Sequence, residues 1–201
     1  MRFIIATNNK KKLVELERIL KPLGIEAVSA KDAGIVLDEV EETGTKFSEN
    51  ALLKAQAAFE KTGMPAVADD SGISVDALDG RPGVFSARYC PELCKTDEER
   101  TQRILDEMKD VPEGKRGAHY TCAICCILPD GSKIEVEETC EGTIGYEFIG
   151  EGGFGYDPIF FFGDKTFAQI SAEEKDKVSH RGKALRKFSQ ALSDYLNKQG
   201  D

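Results

Sequence analysis

A chain of 201 residues, 40% hydrophobic and 31% charged, has an ordinary globular composition and can bury a core without disulfides or a structural metal. Its formal net charge of −9 argues against a protein that grips a nucleic-acid polymer through a broad basic face; two small basic foci, Lys10-Lys11-Lys12 and the stretch from Lys175 to Lys187, suit a small anionic ligand instead. The opening apolar run, Phe3–Thr7, is too short for a signal-peptide core or a membrane span, so a cytoplasmic protein with no membrane partner is expected.

Arg2–Ala6 predicts a short strand, Thr7-Asn8-Asn9 a polar turn, and Leu13, Leu16 and Leu20 one stripe of a helix. Ile25–Val28 predicts a second strand, followed by an acidic stretch from Asp38 to Glu42. Phe47, Ala51, Ala55, Ala58 and Phe59 share a helical face that Gly63 can end. Pro65–Asp69 predicts a strand running into a turn at Asp70-Ser71-Gly72, with Ile73-Ser74-Val75 returning as another strand. Thr96 with Glu99, and Ser171 with Glu174, have the spacing of capping boxes at helix starts. Tyr120–Leu128 and Lys133–Cys140 flank Pro129-Asp130-Gly131, a hairpin signal, and Leu185, Phe188, Leu192 and Tyr195 stripe a final helix. This interleaving predicts an α/β fold, a mixed sheet flanked by helices, built as one domain or as two lobes sharing one core.

The cysteines do not read as a zinc set. Cys122 and Cys125 fall on opposite faces of a strand, and Cys90 and Cys94 lack a second pair at suitable spacing. They are expected to be core residues or free thiols.

Five stretches carry chemistry. Thr7, Asn8, Asn9, Lys10, Lys11 and Lys12 sit where a helix begins; unpaired backbone N–H groups and the positive dipole end bind phosphate there, and lysines oppose that dipole unless an anion is present. An N-cap followed by a solvated lysine run is the plainer reading. Asp69-Asp70-Ser71-Gly72 offers adjacent carboxylates that suit a hard cation such as Mg²⁺, or else a simple Asx turn. Glu41 and Glu42 join them only if the fold brings them near Asp70; otherwise they are solvated surface. In Gly152-Gly153-Phe154-Gly155-Tyr156-Asp157, glycines permit close approach and Phe154 or Tyr156 offers a ring for a base, unless this is a loop whose aromatics return to the core. Ser179-His180-Arg181 presents donors for a carbonyl or phosphate, or a solvated helix start.

Taken together and in this order, TNNKKK, EETGTKFSENALLKA, ADDSGISVDALDGRPGVFSARY, GGFGYDPIF and EEKDKVSHRGKAL resemble the inosine triphosphate pyrophosphatase family, from Phe3 to about Leu196. The resemblance implies a single nucleoside triphosphate pyrophosphatase domain over 1–201, with two lobes, a cleft between them and a homodimeric assembly. It also implies Mg²⁺-dependent hydrolysis of ITP, dITP and XTP to the monophosphate and pyrophosphate. Carried onto this chain, Thr7 to Lys12 are the phosphate-binding turn, and Asp70 the general base and a metal ligand. Ser71 lies on the substrate, Glu41 is the second metal ligand, and Asp69 a further contributor. Lys54 and Lys175 are substrate lysines, Phe154, Gly155, Tyr156 and Asp157 the base-binding loop, and His180 and Arg181 the pair near the base. Asn8 stands where many relatives have glycine; asparagine tolerates positive φ well. The competing expectations are a Maf-type pyrophosphatase for other modified nucleotides and a nucleotide sensor without chemistry.

Overall fold

A computed structural model describes residues 1–36 and 40–199. The elements run β1 (Arg2–Ile5), α1 (Lys10–Leu20), β2 (Glu26–Ser29), α2 (Phe47–Thr62), β3 (Ala66–Val75), α3 (Asp97–Glu107), β4 (Gly117–Ile127), β5 (Lys133–Ile144), β6 (Phe160–Phe162), β7 (Lys165–Thr166), α4 (Ala172–Val178) and α5 (His180–Gln199). The strands form one sheet in the order β2-β1-β3-β4-β5-β6-β7. β1 is parallel to β2 and β3, whereas β6 is antiparallel to β5 and β7, so the sheet is mixed as expected. Among the described residues no helix is long and apolar enough to cross a membrane. Asp38 and Glu39 of the acidic stretch lie outside the described residues.

The chain divides into two compact units. The first comprises Met1–Asp70, Cys122–Glu138 and the chain from Ala184 on, and its core gathers Phe3, Ile5, Leu16, Val67, Ile124 and Phe188. The second comprises Ser71–Thr121 and Thr139–Lys183, with a core of Ile73, Ile104, Met108, Tyr120, Phe160 and Phe167. Each unit thus has its own cluster of buried apolar residues. β3, β4, β5 and α5 each continue through a unit boundary.

Local signals account for most boundaries. Gly63 takes a left-handed conformation and donates its N–H to the Phe59 carbonyl, ending α2. Both capping boxes close: Glu99 N–H donates to Thr96 Oγ1 at 3.1 Å, and Glu174 N–H to Ser171 Oγ at 3.2 Å. At the hairpin, Gly131 N–H donates to the Leu128 carbonyl at 2.9 Å, and Asp130 Oδ1 accepts from Ser132 N–H. One expectation fails. Asp70-Ser71-Gly72 is not a turn; Ala66–Val75 is a single strand of 10 residues. Gly72 is required for close approach, since a Cβ there would stand 2.3 Å from Ser86 Oγ and 2.7 Å from the Gly83 carbonyl. The Ser86 hydroxyl in turn accepts from Ile73 N–H at 2.9 Å.

All six cysteines are free thiols, and burial pushes the Cys125 thiol up to about 12. The sequence gives no signal for Arg116, whose guanidinium is buried at 4% exposure. Its Nε donates to the Ile144 carbonyl at 2.8 Å, Nη1 to Met108 and Val111 at 2.7 and 3.0 Å, and Nη2 to Gly145 at 2.7 Å. It also covers the Tyr146 ring at 4.1 Å. Arg116→Lys puts a point ammonium where a planar fork spans four carbonyls. Urea unfolding should show a loss of roughly 2–3 kcal/mol, and a loss under about 1 kcal/mol would contradict this role.

Candidate active site

Successive residues of a strand face opposite sides, and that alternation separates the two aspartates at the end of the first unit. Asp69 is turned to α1, where Lys12 Nζ pairs with its Oδ2 at 2.7 Å; both side chains are largely buried. Asp70 is turned to α2. There Asn50 and Lys54, four residues apart and so on one helix face, both reach it. Asn50 Nδ2 donates to Asp70 Oδ2 at 3.2 Å, and Lys54 Nζ stands 3.5 Å from Oδ1. Lys54 also donates to Glu42 Oε1 at 2.8 Å, so one ammonium lies against two carboxylates. Asn50 is wholly buried, and its Oδ1 accepts from Gly44 N–H at 2.8 Å, tying the Glu42-Thr43-Gly44 segment to the start of α2.

The electrostatics follow from this packing. Burial pushes the Asp70 carboxyl above the ordinary carboxylate range, and neighbouring Glu42 adds to that; Lys54, Lys12 and Asn50 pull the other way without cancelling it. For Lys54, burial acts against the charge, but Asp70, Glu42 and Asp69 outweigh it and its pKa is raised. Asp70 is therefore a buried carboxylate with heightened proton affinity facing a fixed cation.

Glu42 is the carboxylate set against Lys54 and Asp70, while the Glu41 side chain is exposed. Asp69 is engaged by Lys12 on the other face of the strand, so it does not share a side with Asp70. Among the described residues no group of three or more His, Cys, Asp or Glu is arranged to hold a metal ion. At the turn before α1, Thr7 Oγ1 accepts from Asn9 N–H at 3.2 Å, and Asn9 Oδ1 accepts from Lys12 N–H at 3.4 Å, capping the helix. Asn8 and Lys10 are exposed, α1 has no acidic residue in its first turn, and the Lys11 side chain lies outside what is described. Ser71 is half-buried in β3.

In the second unit the glycine-rich loop is organised by Asp157, 2% exposed. Its Oδ2 accepts from Phe154 N–H at 2.8 Å and from Lys175 Nζ at 2.5 Å. Lys175 also lies over the Phe154 ring, 4.9 Å from its centroid. Phe154 itself is half exposed, whereas Tyr156 is buried and donates its hydroxyl to the Ser86 carbonyl at 2.7 Å. Phe154 thus keeps part of its ring at the surface, and Tyr156 is an anchor. Gly155 gives its carbonyl to Thr101 Oγ1 at 3.2 Å. His180 begins α5, buried and stacked on Tyr120; Arg181 follows, half-buried. Ser179 Oγ accepts from Gly182 N–H at 3.1 Å, and Gly182 has no room for a side chain, because a Cβ would fall 1.7 Å from the Asp176 carbonyl. Asn50 and Tyr120 belong to these clusters without a motif to mark them; Glu42 was expected there only if the fold brought it near Asp70, and it does. For Asn50 a signal existed, a polar residue on the apolar stripe of α2.

A family model described as the Ham1 family matches residues 3–191. The chain is 46% identical over 192 residues to the dITP/XTP pyrophosphatase of Halalkalibacterium halodurans, covering 94% of this chain and 98% of that one. It is 44% identical over 191 residues to the Bacillus subtilis dITP/XTP pyrophosphatase, covering 94% and 96%. Among solved structures, a HAM1 protein from Coxiella burnetii superposes with a TM-score of 0.89 at 36% identity, covering 96% of this chain and 99% of that one. A nucleoside-triphosphatase / dITP/XTP pyrophosphatase from Mycobacterium abscessus gives 0.80 at 43% identity, covering 94% and 98%.

Proposed function

Because the chain belongs to the Ham1 family, we propose that it is a nucleoside triphosphate pyrophosphatase that converts dITP, XTP and ITP to the monophosphate and pyrophosphate. The observation that carries the chemistry is Asp70, a buried carboxylate of raised proton affinity held by Asn50 and facing the Lys54 ammonium. Such a group can take the proton of a water attacking phosphorus. Lys12 and Lys54, each paired with a carboxylate, are positioned cations for phosphate oxygens, and the start of α1 adds backbone N–H groups.

The donor set fits a magnesium ion. Asp70 and Glu42 are hard oxygen donors that already accommodate one cation, the Lys54 ammonium, and Mg²⁺ needs only one or two carboxylates beside waters and substrate oxygens. Of the carboxylates here, Asp70 and Glu41 would hold it, Glu41 being exposed while Glu42 is engaged by Lys54. When bound, the ion neutralises phosphate charge and acidifies water. For the base, Phe154 offers its face, and His180, Arg181 and Lys175 are donors for the carbonyl that hypoxanthine and xanthine carry where adenine has an amino group. A mismatched buried donor costs about 1–3 kcal/mol, and several together reach roughly 10⁴-fold discrimination. The active assembly is a homodimer on this reading.

Pyrophosphate release measured across dITP, XTP, ITP, GTP and ATP, with and without Mg²⁺, tests the proposal. The first three should be turned over at least about 10²-fold better than ATP, and only with the metal. Equal rates on ATP refute the base assignment, and tight ITP binding without turnover favours a sensor. Glu41→Gln should raise the Mg²⁺ concentration for half-maximal rate more than Glu42→Gln does; the reverse order moves the ligand to Glu42.

A further inference from the structure

Ser86 lies in the block GRPGVFSARY, which contributes none of the phosphate, metal or base residues assigned to the site. It sits on the short 3₁₀ segment Gly83–Arg88 at 7% exposure. Its hydroxyl accepts from Ile73 N–H at 2.9 Å and donates to the Gly83 carbonyl at 2.6 Å. Its own carbonyl accepts from the Tyr156 hydroxyl at 2.7 Å, 70 residues along the chain. All four residues belong to the second unit.

Alternate residues of a strand point their N–H groups to the same edge, as Ile73 and Val75 of β3 do. Val75 N–H donates to the Arg81 carbonyl at 3.2 Å, and Ile73 N–H to the Ser86 hydroxyl, which takes the place of a further carbonyl along that edge. Ser86 is thus clamped to β3 by its side chain and holds the glycine-rich loop by its backbone. Within that loop Tyr156 stands between Gly155, whose carbonyl accepts from Thr101 Oγ1, and Asp157, whose carboxylate accepts from Phe154 N–H. A residue that only filled this space would need no hydroxyl.

We propose that Ser86 is a positioning residue for base recognition, tying Tyr156, and with it the loop from Phe154 to Asp157, to β3 just beyond Asp70-Ser71. This rests on the assignment of that loop to the base. Lys12, Lys54 and Asp70 lie in the first unit, so on that reading the groups of the chemical step stay in place when Ser86 changes. Its loss therefore weakens substrate binding and discrimination.

The test uses two variants and two readouts. Ser86→Ala removes the hydroxyl and keeps the carbonyl; Tyr156→Phe removes the donor to that carbonyl and keeps the ring. KM for dITP should rise about tenfold in each, with kcat of Ser86→Ala within about twofold, and the ratio of dITP to dATP turnover should fall. Because the two act through one link, Tyr156→Phe should raise KM less in the Ser86→Ala background than in the unmodified protein. The second readout is backbone amide hydrogen exchange in the free protein. Phe154 N–H should exchange about tenfold faster in both variants, and Ile73 N–H should follow in Ser86→Ala, where its acceptor is gone. A serine that served local packing alone would speed Ile73 and leave Phe154 unmoved, and that result overturns the proposal. So does an unchanged KM in either variant, or a fall confined to kcat in Ser86→Ala. Tyr156→Phe supplies both readouts if Ser86→Ala does not fold. Failure of the unmodified protein to release pyrophosphate from any triphosphate sinks the functional reading instead, and the Phe154 exchange rate still decides whether Ser86 holds the loop.

Discussion

Replacing Asp70 with Asn is expected to lower pyrophosphate release by about 10³-fold or more while leaving the melting temperature, measured without divalent ions, unchanged or higher. The two effects share one cause. The fold holds this carboxylate above its ordinary pKa, so ionisation is less favourable in the folded protein than in the unfolded chain. The sign follows directly. A carboxyl with a raised folded-state pKa binds more protons when folded, so its stability contribution is present below the unfolded value and is lost as pH rises through the folded one. At neutral pH the ionised Asp70 is therefore a burden that Asn removes, while Asn keeps an oxygen for the Asn50 amide. Adding Mg²⁺ should raise the melting temperature of the unmodified protein and not that of Asp70→Asn, because only the former gains a ligand that binds the native state. A variant that keeps near-native turnover refutes the base assignment; one that melts earlier without divalent ions refutes the electrostatic account.

Lys54→Met should be the more damaging change to stability. The ammonium lies against Glu42 and Asp70, with its side chain only 14% exposed, and its removal leaves two confined carboxylates without their cation. Breaking such a pair from one side costs roughly 3 kcal/mol, since desolvation of the remaining charges is no longer offset. The deficit should be largest near neutral pH. It should shrink as the pH falls through the raised pKa of Asp70, because protonation then relieves the repulsion. Lys54 itself behaves oppositely: its raised pKa means that its contribution is complete below the unfolded value near 10.5 and fades as pH climbs through the folded one. Chemical denaturation at pH 7 and pH 5 measures this directly. Equal deficits at the two values would show that Lys54 stabilises through packing of its stem alone.

The two substitutions separate what the site gains from each charge. On the proposed function, Asp70 would serve the reaction at some expense to the fold, and Lys54 would offset that expense while remaining a cation for phosphate. An active site kept electrostatically tense in this way is consistent with the wider exchange of stability for activity in enzymes.

Much of the molecule was legible before any coordinates. The apolar stripes of α1, α2 and α5, both capping boxes, the Gly63 stop and the Asp130-Gly131 hairpin are set by neighbours within a turn or two of chain, and such short-range rules act on sequence alone. The capped turn before α1 and the ordered set of motifs that marks the family were legible from the sequence as well. What tertiary structure decided were relations between distant residues. Gly72 looked like a turn because glycine after Asp-Ser usually is one; its actual task, leaving space for Ser86, lies 14 residues away. Asp69 and Asp70 looked like a joint metal pair until a continuous strand sent them to α1 and α2 respectively. Local pattern marks Asn50 only as a polar residue on an apolar stripe, Glu42 only as part of an acidic run and Tyr120 only as a strand residue; what each contributes depends on packing and on which charges a shared, water-poor environment forces together. Periodicity and capping are properties of a segment; burial, pKa and stacking are properties of an assembled core.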